Sequence, residues 1–368
     1  MTLKILWFDE TDLSTLGAGQ VSKTLTLLNG LSKYVDITLL CRCSRPQILQ
    51  KNLRKVKVVS LKPNIRNPLL RVFPHDVAVY VMRYMREPFD LVIFSHIYES
   101  LPLLLSSKLR GLPVIYDCHG VEQRLLQKGL TSKLVVTSME SLSVRLSDTI
   151  IVLSEADRED VRQLYGVNDG IVVIPPWRIN NPCSEVERVK AKERLAKAFG
   201  NDIVNKTIVT FHGSLKYGPN HDAWNYIVNC IAPEVRQAIF VIVGKDPPFK
   251  GRKANIIFTG PVANLREVLC CSDVAIVPLT RVTGVNFKVL DYISLGVPLI
   301  VSPAVLRWLN LNDIEGTVIV SKVKDMPWHL KNLLGKGLKR TRWKKERSVE
   351  DVIQDYLKVF IETRERRD

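Results

Sequence analysis

The stretch Thr283-Gly284-Val285-Asn286-Phe287-Lys288-Val289-Leu290-Asp291-Tyr292-Ile293-Ser294-Leu295-Gly296-Val297-Pro298 lies between two short apolar runs, Val274–Val277 and Leu299–Ser302. The runs read as strands. The stretch between them reads as a glycine turn, a helix over Asn286–Leu295 and a Gly-x-Pro stop. A strand, a helix and a strand in that order make a parallel pair, because the chain must cross back before the second strand begins. Parallel strands are covered on both faces, so neither run alternates with polar residues.

The same alternation extends in both directions. Downstream of residue 200, strands are expected at Thr207–Phe211, Phe240–Val243, Asn255–Phe258 and Thr317–Val320. Upstream they are expected at Lys4–Phe8, Asp36–Cys41, Val56–Leu61, Leu91–Ser95, Val114–Asp117, Thr149–Leu153 and Ile171–Ile174, with amphipathic segments between them. Pro175-Pro176 interrupts the pattern, and a charged helix follows at about Glu185–Phe199. The reading is α/β: two doubly wound domains facing across a cleft, at residues 1–177 and 178–346. Residues 347–368 form a last helix expected to pack back toward the first domain. In such folds ligands sit at the carboxyl ends of the strands, here between the two sheets.

The chain has 368 residues, 46% hydrophobic and 24% charged, which suits two folded domains and excludes disorder as the main state. No apolar run approaches the ~18 residues that span a bilayer. The start, MTLKILWFDET, reads as a strand followed by acids rather than as a secretory leader. The net charge of +16 predicts an anionic partner. Two segments hold all of that excess: Arg42–Arg86 with eleven basic residues and one acid, and Lys336–Arg347 with seven and one. Seven cysteines without a Cys-x-x-Cys argue against structural zinc, and they are read as belonging to a reducing, cytoplasmic setting.

Four segments could carry chemistry. Gly17-Ala18-Gly19 opens the first helix, where a backbone can approach an anion; a plain helix-start turn explains it equally. Asp117-Cys118-His119-Gly120-Val121-Glu122 ends a strand at the cleft edge, placing His119 to bond a sugar or phosphate and Glu122 to hold a hydroxyl. His212-Gly213-Ser214-Leu215-Lys216 repeats the strand-to-glycine turn, with Asn220 as a candidate helix cap. The opening stretch offers helix amides for a diphosphate, with Lys288 and Asp291 three residues apart on one helix face. A surface ion pair between Lys288 and Asp291 is the alternative.

Together these segments resemble the retaining, family-4-type glycosyltransferases of the GT-B fold (glycosyl transferases group 1), over nearly the whole chain. The resemblance is carried by His212-Gly213, Ile242-Val243-Gly244, Phe258-Thr259-Gly260, Ser272-Asp273-Val274, Gly284 through Pro298, and Asp117 through Glu122. It implies two Rossmann-like domains and transfer of a hexosyl-type sugar from a nucleotide diphosphate sugar to an acceptor hydroxyl. It implies that Gly284, Val285, Asn286 and Phe287 bind the donor diphosphate and sugar, that Asp291 holds the ribose and that Val262 meets the base. His119 would lie by the transferred sugar, and Gly17 and Gly19 near the donor phosphate or acceptor. Of the family's two glutamates eight apart, the first is Thr283 here and the second is shortened to Asp291. The family's arginine and lysine after the second glycine turn are replaced by Ser214 and Asn220. Neutralising the diphosphate then falls to Lys288, Lys216 or a cation from the first domain.

No Asp-x-Asp occurs, so no metal and no cofactor beyond the donor substrate is expected. The expected partners are a nucleotide sugar, a glycan or lipid-linked acceptor, and an anionic membrane surface at the inner face. Two other readings remain: a nucleotide-sugar epimerase of the same shape, and a nucleic-acid-binding protein using the first basic segment. The aromatics of that segment, Phe73, Tyr80 and Tyr84, are spaced as a packed helix face rather than a stacking platform, so nucleic acid is not expected.

Overall fold

The computed structural model describes residues 2–14, 19–61, 75–84, 86–125 and 130–366. Gly17 and the segment Pro68–Pro74 therefore lie outside the described residues. The first sheet contains β1 (Lys4–Asp9), β2 (Asp36–Arg42), β3 (Lys57–Leu61), β4 (Leu91–Phe94), β5 (Val114–Cys118), β6 (Thr149–Val152) and β7 (Ile171–Val173). They lie in the order β3-β2-β1-β4-β5-β6-β7, every pair parallel. The second sheet contains β8 (Thr207–His212), β9 (Ala238–Val243), β10 (Gly251–Lys253), β11 (Ile256–Gly260), β12 (Val274–Val277), β13 (Leu299–Val301) and, after the two-residue β14 (Ile314–Glu315), β15 (Val318–Val320). Its order is β10-β11-β9-β8-β12-β13-β15, parallel except for the short edge strand β10. A small ladder joins β14 to β16 (Arg342–Trp343). In each sheet the order reverses beside the first strand, leaving a crevice at the carboxyl ends of β1 and β4 and of β8 and β12.

The strands are buried because they are apolar on both faces. β9, Ala-Ile-Phe-Val-Ile-Val, is buried at every position. Helices start where side chains cap them: Ser154 accepts from the Asp157 amide, and Ser184 with Glu187 and Ser348 with Asp351 form capping boxes. The expected Asn220 cap is not one. The helix begins earlier, at Gly218–Tyr226, because Pro219 suits its first turn and Tyr217 stands before it. Asn220 is freed for the contact described below.

The chain crosses between the sheets twice, and the crossings pair: the amides of Arg178 and Arg347 each donate to the other's carbonyl, at 2.9 and 3.0 Å. After the second crossing, the helix Val349–Glu365 buries Val352, Ile353, Tyr356, Val359 and Phe360 in the core on one face of the first sheet. It crosses the helix Gly19–Leu31 at Gly30, where a Cβ would fall 2.2 Å from Ile353 Cδ1. A disulfide joins Cys183 to Cys270, with 5.7 Å between Cα atoms. The expectation of a wholly reduced cysteine set fails for this pair: the two are 87 residues apart, and only folding brings them together. Among the described residues, no helix is long and apolar enough to cross a membrane.

Candidate active site

The helix Phe287–Ser294 starts at the crevice of the second sheet. Its alternation buries Val289, Leu290, Tyr292 and Ile293 and leaves Asp291 partly open. Lys288 and Asp291 diverge instead of forming the surface pair. Lys288 runs inward beside Gly213, and its Nζ donates to Asn220 Oδ1 at 2.9 Å, 5.4 Å from the centre of the Phe211 ring. Burial lowers its pKa to about 8, with the Asp291 charge partly opposing. Asn220 uses its amide as a bridge, since its Nδ2 donates to the Ser214 carbonyl at 3.0 Å. Ser214 is exposed, and Lys216 is largely exposed and pairs with Asp246 at 3.6 Å. Lys216 is thus engaged away from the helix start.

Asp291 faces two partners. Lys23, from the helix Gly19–Leu31 of the first domain, reaches across to Asp291 Oδ1 at 3.7 Å and stacks its ammonium 4.0 Å over the Phe287 ring. His212 Nε2 lies 3.8 Å from Asp291 Oδ2 and has no hydrogen-bond partner among the described residues despite being buried. Burial lowers the His212 pKa to about 4, so the imidazole is neutral at ordinary pH. Asp291, Val262, Lys23, Ser22 and Arg266 line one cleft of about 660 Å³ between the domains. That volume is in the range of small-molecule sites.

The other wall is the loop after β5. His119 Nε2 lies 3.1 Å from Asp117 Oδ2, and the fully buried Asp117 accepts from the Tyr356 hydroxyl at 2.9 Å through its other oxygen. Burial disfavours the His119 imidazolium, but the Asp117 charge and hydrogen bond outweigh it and raise its pKa. His96, at the carboxyl end of β4, meets the His119 ring edge-on at 5.3 Å and lies 3.2 Å from Thr11 Oγ1. Sequence reasoning missed His96, although the rule that selected His119, a histidine ending a strand at the crevice, applies to it as well. It also missed Tyr356, which no local pattern connects to β5.

The two walls meet through backbone. Gly120 and Gly284 both have positive φ, 150° and 60°, and a Cβ on Gly284 would fall 2.0 Å from the His119 carbonyl oxygen. The Gly284 amide donates to Asp157 Oδ1 of the first domain at 3.1 Å. Asp160, one turn on, holds Arg124 at 2.7 Å and Arg307 of the second domain at 2.5 Å. Thr283 packs against Gly120, where a Cβ would fall 3.1 Å from the Thr283 carbonyl carbon; desolvation and then the Glu122 charge push the Tyr217 pKa up to about 12. Val285 is buried, and Asn286 precedes the helix with its Oδ1 buried and unpartnered among the described residues. Gly19 is the first residue of its helix. The structure therefore brings His119, Glu122, Thr283 and the start of the helix Phe287–Ser294 to one rim, with Asp291 and Val262 in the adjoining cleft.

This is an arrangement for an anion flanked by hydroxyl-bearing groups: helix amides and a buried lysine at one point, a carboxylate deeper in, and a histidine–carboxylate pair opposite. Two family descriptions match the chain: Glycosyltransferase Family 4 over residues 18–177 and Glycosyl transferases group 1 over residues 206–336. No curated protein matches it in sequence. Solved structures match at low identity and nearly full length. Anabaena Alr3699/HepE in complex with UDP-glucose has a TM-score of 0.68 at 12% identity, with 99% of this chain and 98% of that one covered. The Thermosynechococcus elongatus sucrose-phosphate synthase has a TM-score of 0.70 at 13% identity, covering 99% and 94%. WaaG, a glycosyltransferase involved in lipopolysaccharide biosynthesis, has a TM-score of 0.62 at 12% identity, covering 99% and 95%.

Proposed function

Because the chain is a GT-B-fold glycosyltransferase, related to the group 1 and family 4 enzymes and using a nucleotide-sugar donor, we propose that it transfers a hexosyl-type sugar with retention at the cleft just described. The observation that carries this reading is the shared rim of Gly120 and Gly284, which sets His119 against the start of the helix Phe287–Ser294. The donor diphosphate would lie at the turn Gly284–Phe287, on amides other than that of Gly284, which Asp157 already holds, with Lys288 behind them. The ribose would take Asp291, displacing Lys23 toward the phosphates, and the base would meet the backbone at Val262. As the glycosidic bond breaks, negative charge grows on the leaving diphosphate, and fixed amides and ammonium groups stabilise it without reorganising. This supports transfer that needs no bound divalent metal. Retention follows when the acceptor hydroxyl attacks on the face the diphosphate leaves, with His119 and Glu122 orienting sugar and acceptor. Gly19 would approach the donor phosphate or the acceptor.

The acceptor is proposed to be a glycan or lipid-linked hydroxyl presented at an anionic membrane surface on the cytoplasmic side. Two packed helices of the first domain, His75–Tyr84 and Leu101–Leu109, support it. Val77 and Val81 are core, while Val79, Met82, Leu105 and Leu109 are exposed, near Arg83, Arg86 and Arg110. We assign the domains as 1–177 for the acceptor, 178–346 for the donor and 347–368 as the returning helix. A thermal-shift panel of nucleotide diphosphate sugars tests the donor reading, since a bound donor raises the melting temperature by mass action. One or more donors should stabilise the wild-type protein, and NMR of the product made from that donor should show an unchanged anomeric configuration. Product of inverted configuration would refute retention, and free epimerised sugar nucleotide formed without acceptor would favour the epimerase.

A further inference from the structure

Part of the second basic segment of the sequence lies at the end of the second sheet away from the cleft. Its Lys336 and Arg340 join Arg188, Lys192 and Lys206 around a separate cavity of about 420 Å³. Thr207, Val274 and Pro298 line it, so it sits below the amino ends of β8, β12 and β13. The donor cleft is at the carboxyl ends, about 20 Å away by the length of the six-residue β8.

Five cations here face one lining carboxylate. Asp273 accepts from the Ile208 amide at 2.8 Å and pairs with Arg188 at 3.3 Å and Lys192 at 3.7 Å. Glu185 also approaches Arg188, at 3.4 Å, from a side chain that is 77% exposed. Half-buried Lys206 and exposed Lys336 have no side-chain hydrogen bond or close ion pair among the described residues, although the Asp202 charge acts on Lys206 from farther off. The Arg188 Nε–H is buried without an acceptor among the described residues, while Arg340 is fixed by the Gly296 carbonyl at 3.2 Å. Leu330, Leu333, Leu334 and Leu338 form an apolar wall beside the charges. Cations held together in a half-enclosed cavity repel one another until an anion joins them, and phosphate is matched by lysine and arginine donors. The leucine wall would be idle for inorganic phosphate alone but suits an organic body attached to it.

We propose that this cavity is a second binding site, for a phosphate-bearing organic molecule. The phosphate would lie among Lys206, Lys336 and Arg188, and the organic part against the leucines. Calorimetry with inorganic pyrophosphate and with a soluble short-chain phosphatidic acid tests it on the full chain. Both probes should bind the wild-type protein, and at least one should bind the Lys206→Gln/Lys336→Gln variant at least tenfold more weakly. Stronger sensitivity of the phosphatidic acid assigns a lipid headgroup; stronger sensitivity of pyrophosphate assigns a soluble phosphate. Unchanged affinity of both probes in the variant overturns the site. If the double exchange lowers the melting temperature without any anion, Lys336→Glu alone, at an exposed position, repeats the comparison.

Discussion

Asp291 stands between Lys23 and His212, and the two neighbours act on it differently. Lys23 offers a charge from the opposite domain, whereas His212 is held neutral by burial. If the carboxylate takes the ribose diol, Asp291→Asn should weaken donor binding by about 1–3 kcal/mol, the worth of a charge-assisted hydrogen bond, with little change in folding. Calorimetry reads this directly, and equal donor affinity would remove Asp291 from the ribose. His212 gives the site a pH signature. An unfolded imidazole takes a proton near pH 6.5, but this one does so only at about 4. Between those values the unfolded chain binds more protons, so its stability contribution is full above pH 6.5 and is lost as pH falls toward 4, at no more than about 1.4 kcal/mol per pH unit. His119, with a raised pKa, acts in the opposite sense: its contribution is full below pH 6.5 and lost as pH rises through its folded value. Chemical denaturation of wild type and His212→Gln across pH 4–6.5 separates them, and the variant should show the shallower loss on acidification. Lys288 sets the alkaline side. With its pKa lowered to about 8, it should lose charge above that pH in the free enzyme. Affinity for diphosphate donors should then fall above pH 8 while nucleoside affinity holds, and parallel curves for the two ligands would exclude Lys288 from the phosphate.

At the scale of elements, the helix Val349–Glu365 does more than cover a sheet. Its Tyr356 hydroxyl occupies one oxygen of Asp117 while His119 occupies the other. Tyr356→Phe should therefore cost about 1–3 kcal/mol of stability, since it strips a hydrogen bond from a buried carboxylate. It should also lower turnover more than donor affinity, because His119 would lose its fixed orientation. Steady-state kinetics beside a denaturation curve decide it, and stability loss with unchanged turnover would reduce the tyrosine to packing. This contact shows where sequence reading ends. The strands were legible because parallel pairing leaves long apolar runs, and Asp291 and His119 because each sits on its own strand–turn–helix signature. Lys23 against Asp291, Tyr356 against Asp117 and Cys183 against Cys270 depend on which elements the topology makes neighbours, which no local pattern encodes. Asn220 departs from its expected cap position for a related reason: capping preference names a residue type, but Pro219 suits the first turn of a helix that starts before it.

For the whole molecule, the exposed apolar side chains Val79, Met82, Leu105 and Leu109 beside a strongly basic segment carry the membrane prediction. Each cation near an anionic surface contributes on the order of 1 kcal/mol, screened by salt. Wild-type protein should sediment with anionic vesicles at low salt and be released by salt. Exchanging Arg54, Lys55 and Lys57 for serine should reduce binding, although Lys57 also holds Glu87 at 3.0 Å. Protein that stays in the supernatant would end the membrane proposal and leave the donor site untouched. The returning helix has one more consequence, in the order of synthesis. The first sheet is synthesised before the second, yet one of its faces is closed by residues made after the entire second sheet. Until then the surface awaiting Tyr356 and Phe360 is uncovered, and nascent chains are commonly protected at such surfaces by chaperones. A ribosome stalled anywhere within the second sheet would thus release a chain whose first domain is incomplete and prone to aggregate, even though all of its own strands are present.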